Sequence, residues 1–414
     1  MHKFKAFFCV FLLFPTAFLS FAQNNTNSPY TRFGYGELVD PAIGKNVSMG
    51  GVSFGSRSKN NINPSNPASY SNIDSLTFLF EFGAGGRISY FSQNDGKSEV
   101  NFTGNLDYLT LEFPINKWLS SSIGMIPYSF SGYNFTQNDS LSILGQDEKT
   151  YYTQSFSGIG GINQVYWGLS AKFFDHISIG VNASYLFGYL TNSRSLIFTN
   201  NGYSSSNQTS NLTVSDINFR YGIQLFHTFN KTHQITIGGI FENKSDLNGV
   251  CKVITTDADT IDLSNGFESP LMYGGGIFYT YKNKLSVGVD FLQQQWAEAK
   301  YFGKTDTLKN RTKISFGVEY QHNPNSKNFW ERTIFRLGAN YGNSYININN
   351  NQTPDFGISF GVGLPLKNSK SIVNFGLEYR NMGSSAQNLL REDYIKFSIN
   401  TAFNELWFFK RKFE

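Results

Sequence analysis

The stretch GKNVSMGGVSFGSRSKNNINPSNPASYS, residues 44–71, sets the fold apart from an ordinary β protein. It has neither alternating apolar residues nor an apolar stripe at helical spacing, and it contains two Asn-Pro pairs. Because proline lacks the N–H that a β ladder requires, this stretch cannot form an interior strand. From Leu76 onward the sequence is a succession of strand patterns separated by polar loops. A compact non-β segment followed only by strands predicts a plug inside a closed barrel.

The strand patterns after Leu76 number fourteen, and the second, third, sixth and seventh of them cover 106–114, 119–135, 214–229 and 234 to about 253. In the twelfth, Phe356, Ile358 and Phe360 alternate with small residues, which places one face against lipid or a core. Short turns such as Lys282-Asn283 alternate with long polar connections such as 200–212, as in outer-membrane barrels. We therefore predict an all-β, 14-stranded antiparallel transmembrane β-barrel in the outer membrane. The even strand number predicts that both termini are periplasmic.

Composition fits a barrel that is exported from the cytoplasm. Residues 1–22 begin with Lys3 and Lys5, continue through an apolar run and end in Ser20-Phe21-Ala22, which predicts a signal peptide. Its removal lowers the formal net charge from +4 to +2, which leaves no footprint for nucleic acid. The mature chain would keep one cysteine, Cys251, and therefore no internal disulfide.

The high aromatic content, 41 Phe and 23 Tyr, suits a barrel with a polar inner face, since the mean hydropathy is only −0.30. A secreted array of β-sandwiches has a similar composition and is the alternative fold. After the signal peptide there is no apolar run of the ~18 residues that a membrane helix requires.

The pair Gly50-Gly51 and the triplet Asn66-Pro67-Ala68 stand just ahead of the predicted barrel. With this position and strand count, the chain from about residue 30 onward resembles the FadL family of outer-membrane long-chain fatty-acid transporters. The resemblance implies that residues 23–75 form an N-terminal extension and a plug, or hatch, that carries the triplet in the lumen. Residues 76–414 would form the barrel.

Pro127 falls in the middle of the third strand pattern, 119–135. Every strand of a closed barrel is interior, so this proline must remove one ladder hydrogen bond and force a bulge or kink. A bulge without function is one interpretation. The FadL resemblance implies the other, a lateral gate toward the bilayer at Pro127.

The parity of the strands points charges of both signs into the lumen, which indicates ion pairs among strands and with the plug. The inward charged residues are Lys172, Arg220, Glu242, Asp290, Lys313, Glu319, Arg336, Glu378 and Arg380. A tunnel for an acyl chain needs a continuous apolar lining. The inward face offers only scattered apolar residues, namely Leu186, Phe226, Ile240, Met272 and Phe278.

Catalytic and metal-binding patterns are not convincing in this chain. Two GxSxG matches, 51–55 and 357–361, lack the strand-turn-helix context of a nucleophile elbow. The histidines have no metal-ligand spacing. We predict neither an enzyme nor a cofactor or metal site.

Two functions remain. The first, implied by the resemblance, is passive uptake of a hydrophobic small molecule that passes the plug near Asn66-Pro67-Ala68 and leaves through the wall at Pro127. The second is a non-transporting barrel that serves as a structural or docking subunit of an outer-membrane secretion or barrel-assembly complex. The expected partners are outer-membrane lipids, a hydrophobic ligand, and another outer-membrane protein or lipoprotein.

Overall fold

The computed structural model describes residues 26–92, 98–142, 149–199, 203–256, 260–264, 266–348, 351–366, 370–383 and 390–407. The predicted signal peptide, residues 1–22, lies outside the described residues. Within the described part of the chain, no helix has both the length and the apolarity needed to cross a membrane.

Fourteen long strands follow one another along the chain and pair as neighbours. They are β1 (Thr77–Ser92), β2 (Ser98–Pro114), β3 (Leu119–Leu141), β4 (Thr150–Phe173), β5 (Ile177–Phe198), β6 (Ser206–Phe229), β7 (His233–Glu242), β8 (Met272–Tyr281), β9 (Leu285–Gln294), β10 (Arg311–Gln321), β11 (Ile334–Ile348), β12 (Asn351–Pro365), β13 (Ile372–Met382) and β14 (Arg391–Leu406).

The sheet closes on itself. β14 pairs with β1 in antiparallel register from Arg391↔Ser92 to Leu406↔Thr77, and β7 pairs with β8 across the long connection between them. The predicted 14-stranded antiparallel barrel is therefore confirmed. Closure removes the free sheet edges that an open sheet would present.

The two faces of the strands differ as the alternation predicts. On β12, Phe356, Ile358 and Phe360 point outward and stay exposed, whereas Ser359 points inward and is buried. Exposed apolar side chains recur around the outside of the barrel, which is the surface that a lipid bilayer covers. The turn at Lys282-Asn283 is tight, and both residues have positive φ, as a two-residue hairpin turn requires.

Several strand limits differ from those predicted. β3 continues to Leu141 and β6 begins at Ser206, because polar residues beyond the apolar belt keep the ladder while losing the alternation. β2 begins at Ser98, since Val100 and Phe102 continue its outward apolar alternation and the ladder with β1. The seventh strand was predicted to reach about Val253, which is wrong: β7 ends at Glu242. A separate strand, Asn248–Thr255, pairs with the outer part of β6 and with Ile261–Ser264.

Candidate functional site

Residues 26–75, termed the lumen segment, run through the inside of the barrel from one end to the other. Near its start the Ser28 hydroxyl donates to the Glu392 carboxylate at 2.5 Å, at the beginning of β14. Its last residues lead into Thr77, at the opposite end. β1 begins and β14 ends at one end of the barrel, whereas residue 26, the first described residue, lies at the opposite end.

The first part of the lumen segment lies beneath the outer loops that follow β7 and β9. The Tyr35 N–H donates to the Tyr345 hydroxyl at 2.9 Å, and the Tyr301 hydroxyl donates to the Gly34 carbonyl at 2.8 Å. Trp296 is fully buried, with its ring centroid 5.6 Å from that of Tyr35. These aromatic contacts close the lumen at the loop end.

Asp40 joins the lumen segment to three cations on the barrel wall. Its carboxylate lies 2.5 Å from Arg311, 2.6 Å from Lys313 and 3.4 Å from Arg380. Burial alone raises the pKa of Asp40, but the three positive charges outweigh burial and hold the pKa well below its usual range. This cluster is the densest charged contact between the segment and the wall.

The middle of the lumen segment is fixed to the same side of the barrel by further polar contacts. Lys45 and Arg336 both bind Glu319, at 3.3 and 2.6 Å. The backbone N–H groups of Ser53 and Phe54 donate to the Asp290 carboxylate at 2.6 and 2.8 Å. The predicted ion pairs between the strands and the segment are thus present.

Gly50 and Gly51 lie against β10 and β11. Both have positive φ, 68° and 91°, and a Cβ on Gly50 would stand 2.5 Å from the Ala339 carbonyl oxygen. The Gly50 N–H also donates a hydrogen bond to the Ser359 hydroxyl at 2.9 Å. Glycine is required here because the segment must both turn and approach the wall closely.

The triplet Asn66-Pro67-Ala68 lies on the other side of the lumen, against β4 to β7. Asn66 caps a 3-10 turn, Pro67–Asn72, by accepting from the Ala68 N–H at 3.1 Å, and donates to the Phe54 and Ile223 carbonyls at 2.8 and 3.2 Å. The Ala68 carbonyl accepts from the hydroxyls of Ser178 and Ser170 at 2.5 and 3.0 Å. The triplet and the Gly50-Gly51 pair are therefore separate anchors on facing walls.

The scattered apolar residues of the inner wall pack on the lumen segment. Ile240 and Met272 form a cluster with Phe54, and Phe278 forms another with Met49 and Val52. The Arg57 guanidinium stacks 4.1 Å from the ring of Phe226, and Leu186 belongs to the cluster under the outer loops. These side chains hold the segment in place rather than lining a continuous apolar path.

Pro127 marks a break in the barrel wall. The β3–β4 ladder shifts register between Pro127 and Ser129, which is the bulge that the proline predicts. β3 pairs with β2 only from Ser120 to Met125. Beyond the bulge its edge turns to the lumen segment, where Ser129 and Phe130 pair with Leu38 and Glu37. Among the described residues no β2–β3 ladder continues beyond Leu109 and Met125, and this separation of the two strands is termed the slot.

A cavity of about 120 Å³ lies behind this slot. Its lining mixes both signs of charge and two tyrosines, including Glu37, Asp40, Arg87, Asp107, Tyr108, Glu378, Tyr394 and Lys396. Arg87 binds Glu37 at 2.7 Å and Lys396 binds Asp107 at 2.9 Å, so much of this charge is paired.

The described residues hold no group of three or more His, Cys, Asp or Glu side chains placed to bind a metal ion. The two GxSxG serines make structural contacts through Ser53 N–H and the Ser359 hydroxyl, as described above.

The sequence profile of the BamG family matches residues 3–414, almost the whole chain. The chain belongs to the BamG family. No curated protein matches the sequence significantly.

Solved structures resemble this BamG-family chain in fold. A FadL homologue from Pseudomonas aeruginosa is 14% identical with a TM-score of 0.55, covering 89% of this chain and 99% of its own. The toluene transporter TbuX of Ralstonia pickettii is 14% identical with a TM-score of 0.56, and the match covers 88% of this chain and 98% of TbuX. The P. putida toluene transporter TodX is 13% identical with a TM-score of 0.55, and the match covers 90% of this chain and 100% of TodX. The protein is an outer-membrane β-barrel with a FadL-like fold.

Asn66 provides a direct test of the anchor on β6. In Asn66→Ala the Phe54 carbonyl loses a buried donor and the turn loses its cap, which we expect to cost about 1–3 kcal/mol. Tryptic cleavage after Lys59, measured on the folded barrel in detergent, should accelerate accordingly. Asn325→Ala, in an exposed turn, is the matched control and should leave the rate unchanged. Equal rates for the two variants would show that Asn66 does not anchor the segment.

The Asp40 cluster also predicts how pH affects the lumen segment. The pKa of Asp40 is lower in the folded barrel than in the unfolded chain, where it is about 4. The stability that the ionised Asp40 contributes to the folded barrel is therefore fully present above about pH 4, and it is lost as the pH falls through the lower pKa of the folded state. The difference in thermal stability between wild type and Asp40→Asn should therefore be constant near neutral pH and shrink only below about pH 4. A difference that declined between about pH 7 and 5 would contradict this assignment.

Proposed function

We propose that the protein is a non-transporting barrel that serves as a structural or docking subunit of an outer-membrane secretion or barrel-assembly complex. The observation that carries this proposal is the occupied lumen. The lumen segment is tied to β9 and β10 through Asp290, Lys313 and Glu319, to β12 through Ser359, and to β4–β7 through the Asn66 turn. Segment and wall together leave little space for a passing molecule.

The remaining cavity is ill suited to a hydrophobic ligand. Ligand pockets usually measure about 300–1,000 Å³ and are mostly apolar, whereas this cavity is about 120 Å³ and many charged side chains stand among the residues that line it. Placing an alkyl or aromatic group there would desolvate those charges without new hydrogen bonds. The family label, BamG, also fits a role in barrel assembly.

In this proposal residues 1–22 are a signal peptide, 23–75 form the extension and plug, and 76–414 form the barrel. Asn66, Pro67, Ala68, Gly50 and Gly51 hold the plug closed, so that the barrel is a sealed scaffold. The protein acts without catalysis, metal or cofactor. Its partner is another outer-membrane protein or a lipoprotein.

Gentle extraction tests this function. The tagged chain is purified from its own outer membrane in mild detergent, and an unrelated tagged barrel of the same membrane serves as control. We expect a partner outer-membrane protein or lipoprotein in stoichiometric amount with this chain and not with the control. Recovery of the chain by itself at full yield would overturn the proposal.

The slot at Pro127 favours a second candidate function, passive uptake of a hydrophobic small molecule. The ligand would enter among the outer loops, displace the lumen segment near Asn66-Pro67-Ala68 and leave sideways between β2 and β3. TbuX and TodX, which share the fold, are toluene transporters. This function requires that the anchors of the segment open during transport.

Replacing the proline tests the lateral gate. Pro127→Val supplies the missing N–H and a residue with high strand propensity, which favours an unbroken β3. If the slot is an exit, uptake of a labelled hydrocarbon into intact cells should fall. Uptake equal to wild type, at equal barrel abundance, would contradict a lateral gate at this residue.

A further inference from the structure

Four neighbouring strands extend beyond the others at the loop end of the barrel. β3 to β6 contain 22–24 residues each, whereas the other long strands contain 10–17. Short turns join these four strands at the opposite end, so the extra length lies at the loop end. A strand needs only about 9–11 residues to cross a bilayer. The outer halves of the four strands, termed the raised wall, therefore stand clear of the membrane. They comprise residues 131–141, 150–161, 189–198 and 206–215.

One row of side chains crosses the inner face of the raised wall. Phe135 pairs with Phe156, and Phe156 pairs with Arg194. Arg194 in turn pairs with Gln208 on the next strand. Residues directly opposite each other in a ladder share one face of the sheet, and Arg32 of the lumen segment stacks on the ring of Phe156. The row therefore faces the inside of the barrel.

Two guanidinium groups meet at the ring of Phe156. The Arg32 guanidinium carbon lies 4.0 Å from the ring centroid, and that of Arg194 lies 5.8 Å from it. Arg32 is half-buried and Arg194 is exposed. Burial lowers the pKa of Arg32, and the positive charge of Arg194 acts in the same direction. Stacking on the ring holds each cation in place, but it does not offset the repulsion between them.

Neither guanidinium binds a carboxylate in the described part of the chain. Arg194 donates to the Gln154 side-chain oxygen at 3.1 Å, and Arg32 makes only ring contacts there. The arginines deeper in the barrel differ, since each forms an ion pair: Arg87, Arg220, Arg311, Arg336 and Arg380. A guanidinium has five N–H donors and no acceptor, so two such groups without a carboxylate form a site for an anion.

We propose that Arg32 and Arg194 bind a carboxylate of an acidic segment of the partner protein, which enters the mouth of the barrel along the raised wall. This inference rests on the proposed docking function and identifies its surface and the chemistry of its partner. The planar donor fork of arginine matches a carboxylate. Phe33, which is 36% exposed, lies beside Arg32, and Phe135 packs on Phe156 at 5.1 Å. Both rings would pack on an apolar side chain next to the acidic residue.

The position of the site favours a protein over a lipid. Phe156 lies 17 residues before Phe173, the end of β4 at the turns, which is well past the roughly 9–11 residues that cross the bilayer. Lipid phosphates contact the outside of a barrel at the membrane surface, whereas these guanidinium groups lie inside the raised wall. A free anion would neutralise the charges but leave the rings of Phe33 and Phe135 uncovered.

Substitution of the two arginines tests the site. The tagged full-length chain is purified gently from its own outer membrane as wild type, Arg32→Gln, Arg194→Gln and the double variant. Lys252→Gln, which removes another exposed charge at the loop end, is the matched control. A heat-modifiable band on a gel verifies that each variant has folded. An unchanged rate of tryptic cleavage after Lys45 verifies that the lumen segment is in place.

Each single variant should lower the affinity for the partner about tenfold or more, because a hydrogen-bonded charged group is lost. The ratio of partner to barrel, followed through a dilution series, measures this change. Lys252→Gln should retain the partner as wild type does.

Photo-cross-linking identifies what the site holds. p-Benzoylphenylalanine replaces Phe33 in the full-length chain, and peptide mass spectrometry maps the product. We expect a cross-link to the co-purifying partner, within a segment that contains Asp or Glu. The cross-link should disappear in the double arginine variant and persist in Lys252→Gln.

Three results would overturn this docking site. If the double variant retains the partner as well as wild type does, the site is wrong and the proposed function stands. Cross-links from position 33 only to lipid, or to a partner segment without acidic residues, would likewise contradict the site alone. If the wild-type chain retains no partner at all, the proposed function fails, and the docking site fails with it.

Discussion

Asp40→Asn should release the lumen segment more readily than substitution of any other charged residue of that segment. The carboxylate lies between Arg311, Lys313 and Arg380, and all four side chains are buried or nearly so. Arg380 keeps a second partner, Asp355, but Lys313 loses its only ion pair within the described part of the chain. Removing one partner of a buried ion pair costs about 3–5 kcal/mol because the remaining charge stays desolvated.

The measurement is the rate of tryptic cleavage after Lys45 in the folded, detergent-solubilised barrel. A cost of this size raises the open population at least roughly a hundredfold, and cleavage should accelerate by a similar factor when closing is fast. Asp175→Asn breaks an exposed pair with Lys172 in a turn and should change nothing. Adding Lys313→Met to Asp40→Asn should recover part of the loss, because it removes one of the two cations, Arg311 and Lys313, whose ion pair with Asp40 is lost. Cleavage at the wild-type rate in Asp40→Asn would contradict the role of this cluster.

Gly238→Ala should displace the lumen segment by steric overlap with its backbone. A Cβ at this inward position of β7 would stand 1.9 Å from the Phe54 carbonyl oxygen and 2.4 Å from its carbon. Both atoms belong to the backbone, so the segment must move. Movement there also disturbs the Ser53 and Phe54 N–H groups that donate to Asp290.

We expect overpacking in Gly238→Ala to lower the free energy of unfolding by about 1–3 kcal/mol. Breaking the hydrogen bonds to Asp290 would lower it by a further amount of about 1–3 kcal/mol. Gly275→Ala is the matched control on the neighbouring strand. It faces outward, and its Cβ would find its closest neighbour at 3.7 Å, an ordinary contact. Tryptic cleavage after Arg57 and the thermal midpoint should change for Gly238→Ala alone. Equal behaviour of the two alanine variants would show that the close approach of Phe54 is not required.

Much of the barrel could be predicted from the sequence because the lipid-facing residues alternate without interruption. That pattern determined the number of strands and their inward faces, and Pro127 predicted the bulge in β3. The outer parts of β3 and β6 could not be predicted in this way, since both of their faces meet water and polar residues occupy both. The end of β7 was missed because its continuation, Asn248–Thr255, is equally strand-like and pairs with β6 instead.

The lumen site was only partly predictable. Residues of the segment have no periodicity, and their partners lie far away in sequence: Asp40 binds Arg311 and Arg380. No local signal distinguishes Asp40 from any other aspartate in a loop. A usable signal was missed in the inward strand glycines, since Gly180, Gly238 and Gly338 each leave room for backbone of the lumen segment. Gly274 on β8 likewise faces the Phe54 ring.

A structure of the protein extracted gently from its own membrane tests most directly whether it is a sealed docking subunit. We expect a partner protein seated on the barrel wall, with Asp40 still bound to Lys313 and the lumen segment filling the barrel. A solitary barrel with an elongated apolar ligand in place of the Asn66 turn, open to the slot beside Pro127, would contradict this function and identify the protein as an uptake channel.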